Sequence, residues 1–423
     1  MNNRRTFIKS GAIAVFGISL GGVPAFIARA AEQYKNTMLY KKKKVLICIF
    51  QRGAMDGLMA VSPFTDAYFK LARPTLFMSA AKDVKKTSLI DLDGKFGLHP
   101  SFSALDSLFK NKQLAIVHGI GSPNNTRSHF DAQDYMESGT PFDKGNQSGW
   151  LNRAIGLMGH DATPFRAVSM TESSPRSFYG NNPTISVSNL QDFAIRRNRN
   201  ISEMNLSAQS FEDLYDQTTN GLFKETSKET FEAVNMLSKV NVKTYQPTNG
   251  AQYPNTRLGN SLKQLAQLIK VDVGLEIGFA ESTGWDTHFN QGTDSGGFAR
   301  SAKDLGDSIA AFWTDIGEAY HDEVTVMTMT EFGRTVKQNG SGGTDHGRAS
   351  CNFILGNSVN GGIVYGDIKP LAIENLEEGR DLAVSTDFRS VFSEVADKHL
   401  RLNNDGLLFP GWKGDHLKIM KGL

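Results

Sequence analysis

The apolar and polar positions of the chain follow two alternating periods, which predict a succession of strands and helices. Short, continuous apolar runs rich in β-branched residues are typical of strands that are buried on both faces of a sheet. Such runs predict strands at 45–50, 114–117, 324–329 and 351–355, and the alternating pattern at 271–279 predicts another. Apolar residues at helical spacing predict helices at 101–111, 258–270, 298–320 and 386–402.

Strands and helices alternate along the chain without an internal repeat, which predicts one α/β domain over 45–423, preceded by a polar linker at 31–44. We expect a mostly parallel sheet flanked by helices. The region at about 161–256 is less regular and is interpreted as an insertion or cap over the sheet, with a helix at 227–240. In open parallel sheets ligands bind at the carboxyl ends of strands, so the loops that follow the strands are candidate sites.

Residues 1–30 have the layout of an export signal. They contain four basic and no acidic residues, an apolar run at 11–27 and the small-residue motif Ala-Arg-Ala at 28–30. The adjacent Arg4 and Arg5 resemble the twin-arginine signal. The apolar run is interrupted by Gly and Pro and is short beside the roughly 20 residues of a membrane span. We therefore expect cleavage near residue 30, export by the twin-arginine machinery to the periplasm or the medium, and no permanent membrane span.

The charge of the chain argues against a polyanionic partner. The 423 residues include 46 basic and 44 acidic ones and 39% hydrophobic ones, which is a globular composition with a net charge of +2. Four of the basic residues lie in the export signal, so residues 31–423 carry a net charge of −2. Nucleic-acid binding relies on an excess of Lys and Arg, so nucleic acid is excluded as a partner.

The two cysteines give no sign of redox or zinc-ribbon chemistry. Cys48 and Cys351 each lie in an apolar segment and neither belongs to a CxxC motif. Two buried free thiols and one disulfide are both compatible with the sequence.

Four polar clusters follow predicted strands and combine carboxylates with imidazoles. They lie around residue 56, at 124–129, at 284–288, and at 330–334 continuing into 342–348. Divalent cations such as Zn²⁺, Mn²⁺ and Mg²⁺ bind to mixtures of these groups, and two ions need about six of them. Five candidate ligands are present: Asp56, Asp286, His288, Asp345 and His346.

These clusters also carry a resemblance to a known family. From about residue 44 onward the chain resembles the bacterial family named domain of unknown function 1501, exported proteins placed in the alkaline phosphatase superfamily. The matching stretches are 51–57 (QRGAMDG), 128–134 (SHFDAQD), 284–288 (GWDTH), 331–335 (EFGRT) and 343–347 (GTDHG). The resemblance implies an alkaline-phosphatase-like α/β core, two divalent ions (Zn, Mn, Mg or Ca), and a Ser, Thr or modified Cys nucleophile for phosphate or sulfate esters.

The resemblance assigns roles to the five candidate ligands. Asp345 and His346 resemble the Asp-His-Gly motif that gives one metal an oxygen and a nitrogen, although a solvated glycine-rich loop is the alternative. Asp56 resembles the aspartate that bridges the metals, and its alternative role is to hold a tight turn. Asp286 and His288 resemble a second Asp and His pair, but one residue separates them instead of the usual three. The closer spacing lets both face one metal or means that one has lost its role.

The nucleophile and the anion-binding groups are assigned less directly. Ser128 resembles a nucleophile at a helix N-terminus, while a helix N-cap is its structural alternative and Thr126 is the alternative nucleophile. Arg127 and Arg334 are candidates for binding the ester group, since a guanidinium matches two oxygens of a tetrahedral anion. The alternative for them, and for Arg348, is a salt bridge with a loop carboxylate. The chain lacks the Cys/Ser-x-Pro-x-Arg sequence, which disfavours a formylglycine sulfatase.

The leading hypothesis from the sequence is an exported, metal-dependent hydrolase of small phosphate or sulfate esters, with a metal-activated Ser128, Thr126 or hydroxide as the nucleophile. The rival is a cell-envelope binding or assembly protein that keeps the superfamily's fold without its catalysis. A third hypothesis, an exported oxidoreductase, rests on the export route alone, because the sequence has no dinucleotide or haem motif.

Overall fold

The structure is a computed structural model that describes residues 43–80, 87–160, 162–190 and 245–422. The expected export signal at 1–30 and the expected helix at 227–240 lie outside the described residues, so both stay predictions. Within the described part, no helix combines the length and apolar character needed to cross a membrane.

The strands of the described residues form one large and one small sheet. In chain order they are β1 (Val45–Gln51), β2 (Val61–Ser62), β3 (Ile90–Asp91), β4 (Gly97–Leu98), β5 (Leu114–Gly121), β6 (Ala167–Ser169), β7 (Ile185–Ser186), β8 (Ile277–Ser282), β9 (Val324–Met329), β10 (Ser350–Leu355), β11 (Val364–Tyr365) and β12 (Thr386–Asp387). The large sheet has the order β11-β5-β10-β9-β1-β8-β6-β7, with β12 beside β5, and β2, β4 and β3 form the small antiparallel sheet. In the large sheet β10 runs antiparallel to β9 and β5, and the other pairs are parallel. The expected fold class, a mostly parallel sheet flanked by helices, is confirmed.

Helices cover both faces of the large sheet. In chain order the described α-helices are α1 (Gly57–Ala60), α2 (Ala67–Ala72), α3 (Asp106–Lys110), α4 (His129–Ser138), α5 (Trp150–Leu157), α6 (Arg257–Lys270), α7 (Gly297–Ile316), α8 (Phe388–Leu400) and α9 (Asp405–Leu408). Short 3₁₀ turns occur at Pro100–Leu105, Pro164–Arg166, Arg176–Phe178, Glu318–Tyr320 and Ile373–Asn375. The sheet is therefore the middle layer of three.

Alternate residues of β1 point into two separate cores, as a strand buried on both faces requires. Ile47 packs in the core formed with α6 and α7, which includes Phe298. Cys48 packs in the opposite core, formed with α5 and α8, which includes Trp150. Cys351 belongs to the first core, so the two thiols lie on opposite faces of the sheet and both are free.

Two element boundaries that differ from the sequence prediction have local reasons. β8 begins at Ile277 instead of residue 271, because Asp272 and Gly274 have positive φ angles and form a turn after α6. The last long helix begins at Phe388, where the Asp387 side chain caps it by accepting a hydrogen bond from Arg389 N. The described beginning of the expected insertion, residues 162–190, contributes β6 and β7 to the large sheet.

The candidate loops meet at one edge of the sheet. β9, β1 and β8 are parallel neighbours, so their carboxyl ends lie side by side. β5 points in the same direction, and its carboxyl end leads toward α4. Because β10 is antiparallel, it starts at this edge, and the residues that precede it, 345–348, also lie there. The fold thus brings residues 53–56, 124–129, 284–288 and 330–348 to a common surface.

Candidate metal centre

Four side chains from two of these loops and from α4 meet at that edge. One ligand atom each from His129, Asp286 and His346 lies within 4.8 Å of the other two. Asp286 Oδ1 is 3.6 Å from His129 Nε2, 3.5 Å from His346 Nε2 and 3.1 Å from His288 Nε2. The Nε2 atoms of His288 and His346 are 2.9 Å apart. We call these four residues the histidine cluster: one carboxylate oxygen surrounded by three imidazole nitrogens.

The outer nitrogen of each ring is held by an oxygen that can only accept a hydrogen bond. These contacts of Nδ1 are 2.8 Å to Glu331 Oε1 for His129, 2.9 Å to the Arg127 carbonyl oxygen for His346, and 3.2 Å to Asp345 Oδ1 for His288. Nδ1 must therefore carry the proton in each ring, since carboxylate and carbonyl oxygens have none to give. In the neutral rings the lone pair is then on Nε2 and points into the cluster, which is the usual arrangement around histidine metal ligands.

Two further observations favour a divalent cation at the cluster. His129 Nε2 is buried and has no hydrogen-bond partner within the described part of the chain, so its lone pair faces the cluster unused. A tetrahedral site with metal–nitrogen distances near 2.0–2.1 Å separates its ligand atoms by about 3.3 Å. The observed separations from Asp286 Oδ1 to His288 Nε2 and His346 Nε2, 3.1 and 3.5 Å, lie on either side of that value.

Two glycines let the loops come this close. Gly53 has a φ of +111°, and a Cβ atom there would lie 2.7 Å from the backbone nitrogen of Asp286. A Cβ atom on Gly343 would lie 2.4 Å from the carbonyl oxygen of His288. The glycines of the 51–57 and 343–347 motifs therefore allow backbone contact with the loop that carries Asp286 and His288.

Arg334 joins these loops from below the cluster. Its guanidinium has no solvent exposure and donates to Asp286 Oδ1 at 2.5 Å. Its other hydrogen bonds go to His288 Nε2, at 3.4 Å, and to four backbone carbonyls, those of Gly53, Ala54, Trp285 and Thr344. Because its donors are taken up inside the protein, the expectation that Arg334 binds the ester directly is not supported by this geometry. It positions Asp286 instead.

The surroundings of the cluster shift the pKa values of its members in opposite directions. The hydrogen bond to Glu331 raises the pKa of His129, whereas burial and then the charge of His129 lower the pKa of His346. Burial disfavours the charged form of Asp286, but the Arg334 guanidinium outweighs it and holds the pKa of that carboxyl below its usual range. At neutral pH His346 is thus a neutral imidazole beside an ionised carboxylate, as metal binding requires.

Asp345 and Asp56, two of the five ligands expected from sequence, do not enter the cluster. Asp345 contacts the outer nitrogen of His288 and accepts a hydrogen bond from Asn339 Nδ2 at 3.0 Å, and its side chain is 56% exposed. It orients His288 from outside. The Asp56 carboxylate is fully buried in an ion pair with Arg73, at 2.6 and 3.1 Å.

Further hydrogen bonds complete the surroundings of Asp56. Gln291 Nε2 donates to Oδ2 at 2.7 Å, and Met59 N donates to Oδ1 at 3.1 Å, which caps α1. Both oxygens of Asp56 therefore have partners, so its contacts support the turn-holding alternative and not a bridge between metals.

Ser128 and Arg127 precede His129 and have different surroundings. Ser128 occupies the N-cap position of α4, as its structural alternative expects, but its hydroxyl makes no capping hydrogen bond. The Arg127 guanidinium pairs with Asp381 at 2.6 Å and with Glu378 at 2.8 Å. Arg348 likewise pairs with a carboxylate, Glu377, at 2.8 Å. The salt-bridge alternative thus describes Arg127 and Arg348.

Sequence reasoning missed His129 as a cluster residue. It lies in the 128–134 motif, in which the sequence predicts a role only for Ser128, as a nucleophile. The sequence feature that indicates its role is a histidine at the start of a helix that follows a parallel strand. Side chains at that position lie at the carboxyl edge of the sheet. Glu331, which holds the ring, gave no signal of that role because it lies 202 residues away in the chain.

The chain resembles two solved structures at low sequence identity. One is the C-terminal periplasmic domain of EptC from Escherichia coli in complex with Zn, with 9% identity, a TM-score of 0.36 and coverage of 75% of this chain and 73% of that one. The other is the lipoteichoic acid synthase LtaP from Listeria monocytogenes, with 9% identity, a TM-score of 0.33 and coverage of 90% and 75%. None of the curated proteins compared with the chain matches it. The family model described as "Protein of unknown function (DUF1501)" matches residues 43–408, and the chain belongs to that family.

Proposed function

We propose that the protein is a metal-dependent hydrolase of phosphate or sulfate esters, and that the histidine cluster holds a single divalent cation. The observation that carries the proposal is the convergence of three imidazole Nε2 atoms on one carboxylate oxygen, with His129 Nε2 buried and without a hydrogen-bond partner among the described residues. Such a donor set, three nitrogens and one oxygen, suits Zn²⁺ and other borderline cations better than Mg²⁺ or Ca²⁺, which prefer oxygen ligands.

A single ion is favoured over two because the remaining expected ligands are engaged elsewhere. Asp56 pairs with Arg73 and Asp345 contacts the outer nitrogen of His288. Within the described residues, His129, Asp286 and His346 form the one group of three or more candidate ligands, and His288 lies beside it. Bound there, a divalent cation would polarise an ester oxygen and lower the pKa of a water molecule.

The residues around the cluster prepare it for that role. Glu331, Asp345 and the Arg127 carbonyl fix the rings with Nε2 inward, and Arg334 keeps Asp286 ionised and in place. Ser128 is the candidate protein nucleophile, since its hydroxyl makes no capping bond and it adjoins His129 in sequence. It also stands at the N-terminus of α4, where backbone N–H groups and the helix dipole favour an anionic ester.

The proposal includes export and a small anionic substrate. The twin-arginine-like segment at 1–30 supports delivery to the periplasm or the medium, and the near-neutral charge of the chain supports a small anion over a nucleic acid. Both parts rest on the sequence alone.

One observation favours a second candidate, a metal-binding protein of the cell envelope without hydrolytic activity. The three arginines of the motif loops, Arg127, Arg334 and Arg348, are all committed to carboxylates or carbonyls of the protein. None of them is free to hold the oxygens of a tetrahedral ester in this arrangement.

Metal content and ester hydrolysis, measured on the same purified protein, test the proposal. We expect about one equivalent of Zn²⁺ by mass spectrometry after dialysis, and hydrolysis of p-nitrophenyl phosphate or p-nitrophenyl sulfate that a chelator abolishes and Zn²⁺ restores. His346→Ala should lose both, and His160→Gln, a histidine remote from the cluster, should keep both. Absence of bound metal in the wild type overturns the proposal. Stoichiometric metal without turnover of either ester supports the second candidate.

A further inference from the structure

Two polar cavities are lined in part by α4, the helix that begins with His129. The first has a volume of about 470 Å³ and the second about 880 Å³. Both sizes are in the range of binding sites for organic ligands. The cavities share Asp134 and Arg176, whose side chains form an ion pair at 2.6 Å, so they are neighbouring parts of one surface feature that we call the trough.

The first cavity starts next to the cluster. Phe130, on its wall, directly follows His129, and Glu281 lies on the strand that leads to Asp286. Gln133, also on the wall, donates to Glu331 Oε1 at 2.9 Å, the oxygen that holds His129. The end of the trough at Phe130 is therefore the end nearest to the cluster.

The charged groups of the first cavity are neutralised by one another. Arg52 pairs with Glu137 at 2.6 Å and with Glu281 at 2.9 Å, and Arg257 lies 3.7 Å from Glu172. With every arginine on this wall paired, the cavity offers polar groups without an excess of positive charge. That character suits a neutral, hydrogen-bonding ligand better than a small anion.

Amide side chains form part of the wall of the second cavity, together with Lys144, Arg153 and Arg176. Asn146, Gln147, Asn181 and Asn182 contribute to its wall. A primary amide both donates and accepts hydrogen bonds, as a sugar hydroxyl does, so a row of amides is complementary to a row of hydroxyls. Asn182 is partly engaged, since its amide donates to the Asn152 carbonyl oxygen at 2.8 Å.

Each cavity also presents an aromatic ring to solvent. Phe130 is 89% exposed, and Tyr179 is 47% exposed with the Arg176 guanidinium 5.5 Å from its ring centre. Single exposed rings are common on protein surfaces, but two rings that border one trough offer flat apolar platforms to a ligand. The C–H face of a pyranose is a suitable cover, because its weakly positive hydrogens meet the negative face of the ring.

We infer that the trough binds an oligosaccharide, with Phe130 and Tyr179 as stacking platforms and the amides of the second cavity as hydrogen-bonding partners. As a deepening of the proposed function, on which this part rests, the substrate is then a glycan that carries a phosphate or sulfate ester. The trough holds the sugar chain, and the ester group at the end near Phe130 faces the histidine cluster.

An array of neutral, sulfated and phosphorylated oligosaccharides tests the inference, followed by calorimetry with the strongest binder. The protein is used with chelator present, so that binding is measured without any catalysis. We expect oligosaccharides to bind more tightly than their monosaccharides, a loss of at least tenfold in affinity for Tyr179→Ala and for Phe130→Ala, and retention for Tyr179→Phe. Phe142→Ala is the matched control, because Phe142 is 72% exposed but lines neither cavity.

The outcomes separate this inference from the proposed function. If no oligosaccharide on the array binds, or if the alanine variants at 130 and 179 bind as well as the wild type, the trough is not a glycan site, whatever the ester assays show. If glycans bind as expected but the protein contains no metal, the glycan site stands and the hydrolase proposal fails.

Discussion

Nδ1 of His129 lies 2.8 Å from Oε1 of Glu331, a carboxylate without solvent exposure. The same oxygen accepts hydrogen bonds from Gln133 Nε2 and from the backbone nitrogen of Gly53, both at 2.9 Å. Glu331 therefore ties the start of α4 to the loops after β9 and β1. Burial disfavours its ionised form, but these hydrogen bonds outweigh burial and lower the pKa of Glu331.

Replacing Glu331 by Gln should weaken metal binding without removing a ligand. The amide has the size of the carboxylate but no charge, so it orients the His129 ring less firmly and makes Nε2 a poorer donor. We expect the affinity for Zn²⁺ to fall by about 10-fold to 100-fold, which is typical of such outer partners. Competition with a chromogenic chelator measures the change.

Glu394→Gln is the matched control for that variant. Glu394 is equally buried and accepts three backbone hydrogen bonds near the C-terminus, so the same charge is removed from a comparable setting. It should lower the free energy of unfolding and leave Zn²⁺ affinity unchanged. Equal affinities for the Glu331 variant and the wild type would contradict the orienting role.

Replacing Asp56 by Asn should reduce stability and leave the metal in place. The change leaves Arg73 buried without a counter-charge, which costs about 3–5 kcal/mol of the free energy of unfolding in comparable cases. Urea denaturation measures this loss, and mass spectrometry of the folded fraction measures metal content. The double variant Asp56→Leu, Arg73→Met should recover part of the stability, since no unpaired charge remains. A folded Asp56→Asn protein without bound metal would instead show that Asp56 is a metal ligand.

Much of the fold is predictable from the sequence because its strands are continuous apolar runs. The strand at 324–329 has the predicted bounds, and β1 extends the predicted 45–50 by one residue. The antiparallel direction of β10 is not predictable in this way, because an apolar run is the same in both directions. It is set by the connection at 330–349 between β9 and β10, which carries Arg334 and His346 and turns back at the same edge.

The sequence predicts those site residues that stand close together in a motif. It does not predict the surroundings of a residue whose partners lie elsewhere in the chain. Asp286, His288 and His346 stand in compact motifs, and the structure brings all three together. Their role as metal ligands stays a prediction. The different surroundings of Asp56 depend on Arg73, and a carboxylate 17 residues from its partner gives no sign in the sequence of being paired.

Adding a methyl group at Gly53 should disturb the cluster through the backbone. In Gly53→Ala the new Cβ would lie 2.7 Å from the backbone nitrogen of Asp286, and the φ of +111° is unfavourable for alanine. We expect the Asp286 loop to shift, with Zn²⁺ affinity reduced at least tenfold and the melting temperature lowered. Gly94→Ala is the control for a positive φ without crowding, since nothing lies within 4 Å of a Cβ there. It should affect stability modestly and metal binding not at all.

Acid should destabilise the protein through histidines that are buried away from the cluster. His399 lies in the core between the Val45 carbonyl, 2.9 Å from Nε2, and the Thr325 hydroxyl, 3.1 Å from Nδ1, which suits a neutral ring. Burial lowers its pKa from 6.5 to about 4, and burial lowers those of His99 and His118 to about 4 as well. In each case the unfolded chain binds the proton first, so the stabilisation is complete above pH 6.5 and is lost as the pH falls toward 4.

For His399 the lost stabilisation is on the order of 3 kcal/mol by pH 4, since each pKa unit corresponds to about 1.4 kcal/mol. Urea denaturation of the wild type and of His399→Gln at pH 7.0, 5.5 and 4.5 isolates this term, because acid effects on the histidine cluster are common to both proteins. The variant should be less stable at pH 7.0, and the difference between the two proteins should shrink as the pH falls. A difference that stays constant from pH 7.0 to 4.5 would show that His399 takes up no additional proton on unfolding.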